Sequence, residues 1–379
     1  IVWELNAEPQ TKVQVPLEGF EIDMSSYHEI FVNVEYRLKQ RQPLLEAGYK
    51  IAYQQLELKP YDLFSCELSV SEKPISISQT LGYLKVIAND IEYEFSKLTG
   101  FIEHIKVCGN DMLENGFVLK PNFWRAPTDN DYGVDLQLAF AAWKNPVYKL
   151  EKLEINDKGN NKVVSTSYNL SEAGAHLTIT YEVSGNGQIC INQNLKATTP
   201  GQWAEGLFRY GMQLVMPRQY DRLCFYGKGP GESYFDRNAA QTIGVYRQSV
   251  DSQYYPYVRP QETGNKTELR WWKVINKGGA GLCFHSDKAF SASALNRLMS
   301  DLDDGPDKYI HQSHGGCVNI RPHTSVQIDA LQQGLGGIDS WKSRPKDEYM
   351  MKHGDYNFTF VITPILSDNY KGSYKRINL

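Results

Sequence analysis

The sequence predicts an all-β protein, with a partial β-sandwich over residues 1–72 followed by a large antiparallel sandwich over residues 73–379. Three observations predict it. Apolar residues alternate with polar ones in short runs, the period of two that a half-buried strand requires. Those runs recur about every ten to fifteen residues with Gly, Asn, Asp or Pro between them, the rhythm of a large antiparallel sandwich. Aromatic residues reach 12%, with 24 tyrosines, and such side chains favour pleated surfaces or carbohydrate contact. No repeated alternation of strand and helix occurs, which excludes a (β/α) barrel or a dinucleotide-binding fold.

In chain order, the first strands are expected at Lys12–Leu17, Glu29–Leu38 and Gly48–Leu58. In EIFVNVEYRL the residues Ile30, Val32, Val34 and Tyr36 share one face. Three or four strands do not close a sandwich, so this region reads as the second half of an immunoglobulin-like domain. The opening IVWEL reads as a strand already under way and there is no initiating Met, so the chain is expected to be part of a longer protein. A missing signal peptide then says nothing about compartment.

Ser69–Thr80 (SVSEKPISISQT) is serine-rich with one Pro and reads as a connector, placing the domain boundary near Lys73. Strands follow at Tyr83–Ile87, Ile91–Phe95, Val163–Tyr168, His176–Val183, Gly187–Ala197, Gly206–Val215, Asp221–Tyr226 and onward to Phe358–Ile365. Helix is expected at Val134–Trp143 (VDLQLAFAAW), and a second near Ala289–Met299.

Composition excludes several functions. A formal charge of −4 without long runs of one sign favours neither nucleic acid nor an anionic membrane. The longest apolar runs are of strand length, whereas a spanning helix needs about 20 apolar residues. The six cysteines (Cys66, Cys108, Cys190, Cys224, Cys283, Cys317) lie far apart with no CxxC, so they read as free buried thiols. His311, His314 and His323 form no metal-ligand spacing, and no GxSxG marks a nucleophile elbow.

Four stretches are locally unusual. The run Gln332–Pro345, which contains QGLGGIDSWKSRP, places three glycines before one tryptophan, Trp341. It reads either as a loop that presents an aromatic ring or as a tight turn with a core Trp. In Phe123–Gly133 (FWRAPTDNDYG), Asp129, Asn130 and Asp131 supply oxygen ligands suited to calcium. Asp and Asn also make turns and cap helices, and EF-hand spacing is absent. Tyr226–Arg237 (YGKGPGESYFDR) resembles a phosphate loop, but it lacks the P-loop spacing and Pro230 removes an amide. In that stretch and in Tyr254–Gly264 (YYPYVRPQETG), Glu232 with Arg237 and Glu262 with Arg259 read as acid–base pairs or as ion pairs that hold long loops.

In this order, FWRAPTDNDYG with a short helix ending in AAWK, YGKGPGESYFDR, YYPYVRPQETGNKTELRWW and GLGGIDSW resemble the C-terminal part of bacterial β-galactosidases of the lactose-operon type, in glycoside hydrolase family 2. AGYKIAYQQLEL is similar to the end of the family's second immunoglobulin-like domain, so the resemblance spans essentially the whole chain. It implies the end of the fourth domain of a five-domain enzyme, then the fifth, a supersandwich of galactose-mutarotase-like fold. Both catalytic glutamates of the retaining reaction lie in the family's central barrel, which this chain lacks, so no catalytic residue is assigned here. The family's magnesium and sodium are bound mainly by that barrel, and no cofactor or metal is assigned to this chain.

The resemblance does carry over Trp341, which matches the family tryptophan that reaches from the fifth domain to stack on the sugar. A pyranose has an apolar face that a π surface covers well. Gly336, Gly337, Asp339 and Ser340 match the same motif and are assigned support of the loop. Two departures stand out. Ile338 replaces an acidic residue of the best-known member, and Arg259 replaces an aromatic beside a backbone position that helps bind a peripheral sodium there. That ion is therefore not carried over. The implied partner is a galactoside held through the barrel of the parent chain, in a homo-oligomer, in the cytoplasm or periplasm of a bacterium.

The leading expectation is thus a β-galactosidase region inactive by itself, which supports the barrel and lends one aromatic contact. A stand-alone carbohydrate-binding module would instead bind saccharides in isolation. A mutarotase-like epimerase would need a histidine acid and a carboxylate base in one cleft.

Overall fold

A computed structural model describes residues 2, 6–16, 23–307, 313–339 and 342–366. The chain forms two compact units, Ile1–Leu63 and Phe64–Leu379. Ahead of Lys73, two residues hydrogen-bond within the larger unit: the Cys66 thiol donates to Thr359 O at 3.4 Å and Ser69 N–H to Gln188 Oε1 at 3.1 Å.

The smaller unit is an antiparallel hairpin of Ile30–Arg37 and Lys50–Lys59, in register from Phe31 opposite Glu57 to Tyr36 opposite Ala52. Ile30, Val32 and Val34 are more covered than Asn33 and Glu35, as the alternation predicts, but Tyr36, expected on the same face, is exposed. The expected strand at Lys12–Leu17 is not formed. Residues 12–16 take no regular structure, Val13 and Val15 are exposed, and Leu17 lies outside the described residues.

The larger unit is a sandwich. Its first sheet has five strands in sequence order, Ile75–Gln79, Tyr83–Ala88, Ile91–Ser96, Ile102–Val107 and Asn110–Asp111. The first of these corrects the connector expected over Ser69–Thr80. Ile75 and Ile77, two residues apart, both pack on the core, and a short turn at 80–82 brings Tyr83–Ala88 across to pair with them. Two isoleucines at period two suffice for a strand when the partner is this close.

The second sheet has twelve strands and runs Thr242–Ser249, Arg222–Gly229, Lys266–Ile275, Gly281–Leu295, Tyr356–Ile365, Ile189–Ala197, Ala175–Val183, Asn161–Leu170, Lys149–Lys158. It branches at the fifteen-residue strand Gly281–Leu295. The first half of that strand pairs with Tyr356–Ile365 and its second half with His323–Gln332, which continues to Arg209–Pro217 and Lys120–Asn122. The branch overturns the helix expected near Ala289–Met299. Phe290, Ala292 and Ala294 alternate into the core as strand residues, and helix is confined to Met299–Leu302.

Both sheets share one core. Phe95 meets the edge of Tyr181 at 5.1 Å, Phe101 stacks on Tyr168 at 5.2 Å, and the Tyr93 hydroxyl donates to Gly187 O at 2.8 Å. On Ala175–Val183 the inward set Leu177, Ile179, Tyr181 and Val183 is fully buried. A one-residue slip would turn all four outward, at roughly 1.5–3 kcal/mol each, which fixes the register. All six cysteines are unpaired. Cys283 is buried, but Cys317 is exposed and the other four are half-buried, which corrects the expectation of uniformly buried thiols.

Candidate functional site

The helix expected at Val134–Trp143 is broken into Asp129–Gly133, Leu136–Ala139 and a 3₁₀ turn at Ala141–Trp143. Asp135 interrupts it with a left-handed backbone at φ 59°, and where Leu136–Ala139 ends, Ala142 N–H donates to Trp203 O and Ala139 O accepts from Glu205 N–H. The first piece starts one motif earlier, because Thr128 and Asp131 form a capping box. Asp131 Oδ2 accepts from Thr128 N–H at 2.8 Å, and Asp131 N–H donates to Thr128 Oγ1 at 3.2 Å.

Arg125 holds the same carboxylate. Its Nη2 lies 2.8 and 3.0 Å from the two Asp131 oxygens and its Nε 3.1 Å from Oδ2, with both residues wholly buried. These contacts commit Asp131 to capping and ion pairing rather than to a calcium ligand. The Arg125 guanidinium also lies over the Phe208 ring at 4.9 Å, so its flat face is covered as well as its edge.

Arg125 reaches further, to the glycine-rich loop. It donates through Nη1 to Gln333 O and through Nη2 to Gly334 O at 3.1 Å. Asn130 Nδ2 donates to Leu335 O at 3.0 Å. From the opposite side, the Asp236 carboxylate accepts from Leu335 N–H and Gly336 N–H, both at 2.9 Å. Gly334 N–H donates to Tyr349 O at 2.9 Å. Four consecutive residues are thereby held by side chains from two other unusual stretches, FWRAPTDNDYG and YGKGPGESYFDR.

Gly336 and Gly337 take φ of 72° and 80°, which favours glycine at both. Beyond them Ile338 and Asp339 are exposed, and Ser343 Oγ donates to Asp339 Oδ2. Ser340 and Trp341, the remaining residues assigned from the motif, lie outside the described residues. The loop and the capped helix face each other across an open cleft of about 660 Å³ lined by Asp129, Asn130, Tyr132, Asp135, Asp339, Lys342 and Ser343 among others. Its lining is mostly polar, with carboxylates, amides, hydroxyls and one ammonium.

The third stretch supports this arrangement without entering the cleft. Glu232 pairs with Arg237 and accepts from the Tyr257 hydroxyl, Thr263 Oγ1 at 3.2 Å and Gly264 N–H at 2.8 Å, knotting the second stretch to the third. Burial, with the neighbouring Glu232, pushes the Tyr257 hydroxyl up to about 12. These contacts favour the loop-holding reading of Glu232 and Arg237. Glu262 and Arg259 do not pair with each other. Arg259 lies 3.1 Å from Asp304 and 3.5 Å from Asp129, while Glu262 lies 3.0 Å from Arg209. Sequence proximity suggested the wrong partner, because the backbone of this loop turns the two side chains to different neighbours.

Arg209, Glu262 and Asp329 form a buried charge cluster, with Arg209 3.6 Å from Asp329. Neither Asp329 oxygen has a hydrogen-bond partner among the described residues. Burial pushes the Asp329 carboxyl up to about 7, with Arg209 opposing and Glu262 adding to the rise. Lys266, also buried, is pushed down to about 8 by burial, and its ammonium donates to Gln253 Oε1 at 2.8 Å.

Among the described residues no group of three or more His, Cys, Asp and Glu side chains is placed to hold a metal ion. Of the two His–carboxylate contacts among them, His28 with Asp62 at 2.8 Å belongs to the smaller unit, and His104 with Asp111, in the larger, does not line the cleft. The sequence did not single out Asp236, or Arg125 as a holder of the glycine loop. The available signal for Arg125 was a lone charge within the apolar run FWRAP, which asks for a buried partner. For Asp236 no local signal existed, since its partners lie about a hundred residues onward.

An all-β protein that brings separate stretches around one polar cleft is the class that fold and site define. The chain belongs to the β-galactosidase family: the model of the β-galactosidase small chain matches residues 87–362, and that of β-galactosidase domain 4 matches residues 2–59. It is 28% identical over 340 residues to a β-galactosidase of Priestia megaterium, covering 89% of this chain and 32% of that protein. To the β-galactosidase of Lactobacillus delbrueckii subsp. bulgaricus it is 29% identical over 344 residues, covering 89% and 32%. To that of Kluyveromyces lactis it is 29% identical over 338 residues, covering 85% and 31%. The chain thus spans about a third of the length of the curated relatives it matches. A galactose mutarotase related enzyme from Lactobacillus acidophilus superposes with a TM-score of 0.39 at 9% identity, covering 78% of this chain and 98% of that one. Likeness at that level says nothing about chemistry.

Proposed function

We propose that this chain is the C-terminal part of a retaining β-galactosidase that hydrolyses terminal non-reducing β-D-galactosides such as lactose. In this reading the catalytic carboxylates and the magnesium and sodium lie in a barrel outside the chain. The chain supports that barrel and lends Trp341 to the sugar site. The observation that carries the reading is the cleft itself, where the GLGGIDSW loop and the capped helix of FWRAPTDNDYG meet in a member of the β-galactosidase family. A rigid loop stem with an exposed, polar-flanked tip suits a ring that must stack on a sugar while hydroxyls bond nearby.

The test has two arms. The chain by itself should not cleave an aryl β-galactoside, and Trp341→Ala in the assembled enzyme should weaken substrate or acceptor binding by roughly 1–3 kcal/mol, the scale of a desolvated aromatic anchor. Hydrolysis by the chain alone, or wild-type kinetics in that variant, would refute the reading. Calorimetry with simple saccharides separates it from a binding module, since half a site should reach millimolar affinity at best. Interconversion of galactose anomers above the buffer rate would point instead to an epimerase.

A further inference from the structure

We infer that Asp236 is the positioning residue of the glycine-rich loop, and that Gly334 is glycine to let its carboxylate approach. The inference rests on the reading of that loop as the part of the chain that meets the sugar. Asp236 sits in a tight turn. Tyr234 and Arg237 close it with reciprocal backbone hydrogen bonds at 3.0 and 2.9 Å, so the turn's shape is fixed before the loop is considered. Its carboxylate then receives two successive amides, Leu335 N–H and Gly336 N–H. A carboxylate that accepts two adjacent N–H groups sets both the direction and the twist of the backbone carrying them, which a single bond does not.

The glycine at 334 has no positive φ to explain it. Its explanation is space, because a Cβ built there would stand 2.7 Å from Asp236 Oδ2 and 2.8 Å from the Tyr349 Cβ. Arg125 and Asn130 hold carbonyls of the same segment from the other side, but they anchor the stem. Asp236 is the group that binds the amide leading into Gly336 and Gly337, where the chain turns left-handed toward the exposed tip. The tip's direction is therefore set at Asp236.

The experiment uses the assembled β-galactosidase with Asp236→Asn, which keeps one acceptor and turns an NH₂ against an amide. Gly334→Ala attacks the same contact from the loop side, should the first variant fold poorly. Amide exchange of Leu335 and Gly336 should accelerate about tenfold, and KM should rise about tenfold with kcat and the unfolding midpoint nearly unchanged. In a Trp341→Ala background, Asp236→Asn should raise KM no further, because it acts through the loop. Unchanged exchange in both variants, or a KM effect that adds in full to that of Trp341→Ala, would overturn the inference. Faster exchange together with wild-type kinetics in Trp341→Ala would uphold Asp236 as the loop's positioner and remove the sugar-contact reading.

Discussion

Replacing Asp329 by Asn should remove a pH dependence from the stability of the larger unit. The Asp329 carboxyl is wholly buried with neither oxygen hydrogen-bonded among the described residues, and burial raises it from 3.8 to about 7. A raised acid binds its proton more tightly in the folded state. Its contribution is therefore fully present below about 3.8 and is lost as pH climbs to about 7. At about 1.4 kcal/mol per pH unit the whole loss is roughly 4 kcal/mol, of which some 2–3 kcal/mol falls between pH 5 and 8. Two half-buried or buried imidazoles, His285 and His323, are held down by burial and act with the opposite sign, but they are common to both proteins.

The difference between wild type and variant therefore isolates Asp329. Urea unfolding followed by tryptophan fluorescence is the assay, because Trp124, Trp143, Trp203, Trp271 and Trp272 all report on the larger unit. The expected result is a variant that gains on the wild type by about 2–3 kcal/mol from pH 5 to pH 8. Parallel stability curves would refute the reasoning, since they would mean that the Arg209 guanidinium at 3.6 Å fully offsets the burial.

Three further outcomes follow from the loop and its anchor. Gly337→Ala must hold φ 80° and bring a Cβ within 2.8 Å of Asn130 Nδ2, whereas Gly116→Ala at φ 83° meets open space. Denaturant titration should give about 1 kcal/mol for the second, the backbone cost alone, and more for the first. Arg125→Met leaves the buried Asp131 carboxylate with only the Thr128 N–H bond, so it should cost about 3–5 kcal/mol, while Arg125→Met with Asp131→Asn should cost less than the sum of the single changes. Thr128→Ala removes the N-cap of Asp129–Gly133 and should lower stability by about 1 kcal/mol in the same titration, without the pH dependence that marks Asp329.

Much of the larger unit was legible in the sequence because strand alternation is a local property. Leu177, Ile179, Tyr181 and Val183 declare one face by spacing alone, and that face is buried. The readings that failed were those in which a distant partner decided between two local preferences. FSASAL has a composition compatible with helix, yet it is strand because His323–Gln332 lies beside it. VDLQLAFAAW has helical periodicity, yet Asp135 takes a left-handed backbone, and at its far end Trp203 and Glu205 bond Ala142 N–H and Ala139 O.

The candidate site divides in the same way. Sequence by itself determined the all-β class, the glycine run, the capping capacity of the Asp and Asn run at 129–131 and the family to which the four stretches point. Only the tertiary structure decided that Arg125, Asn130 and Asp236 converge on residues 333–336, that Arg259 belongs with Asp304 and Glu262 with Arg209, and that a polar cleft opens between helix and loop. The physical reason is range. Alternation and caps are written within a few residues, whereas a carboxylate chooses its amides across about a hundred residues of chain through the packing of a sheet that no local pattern specifies.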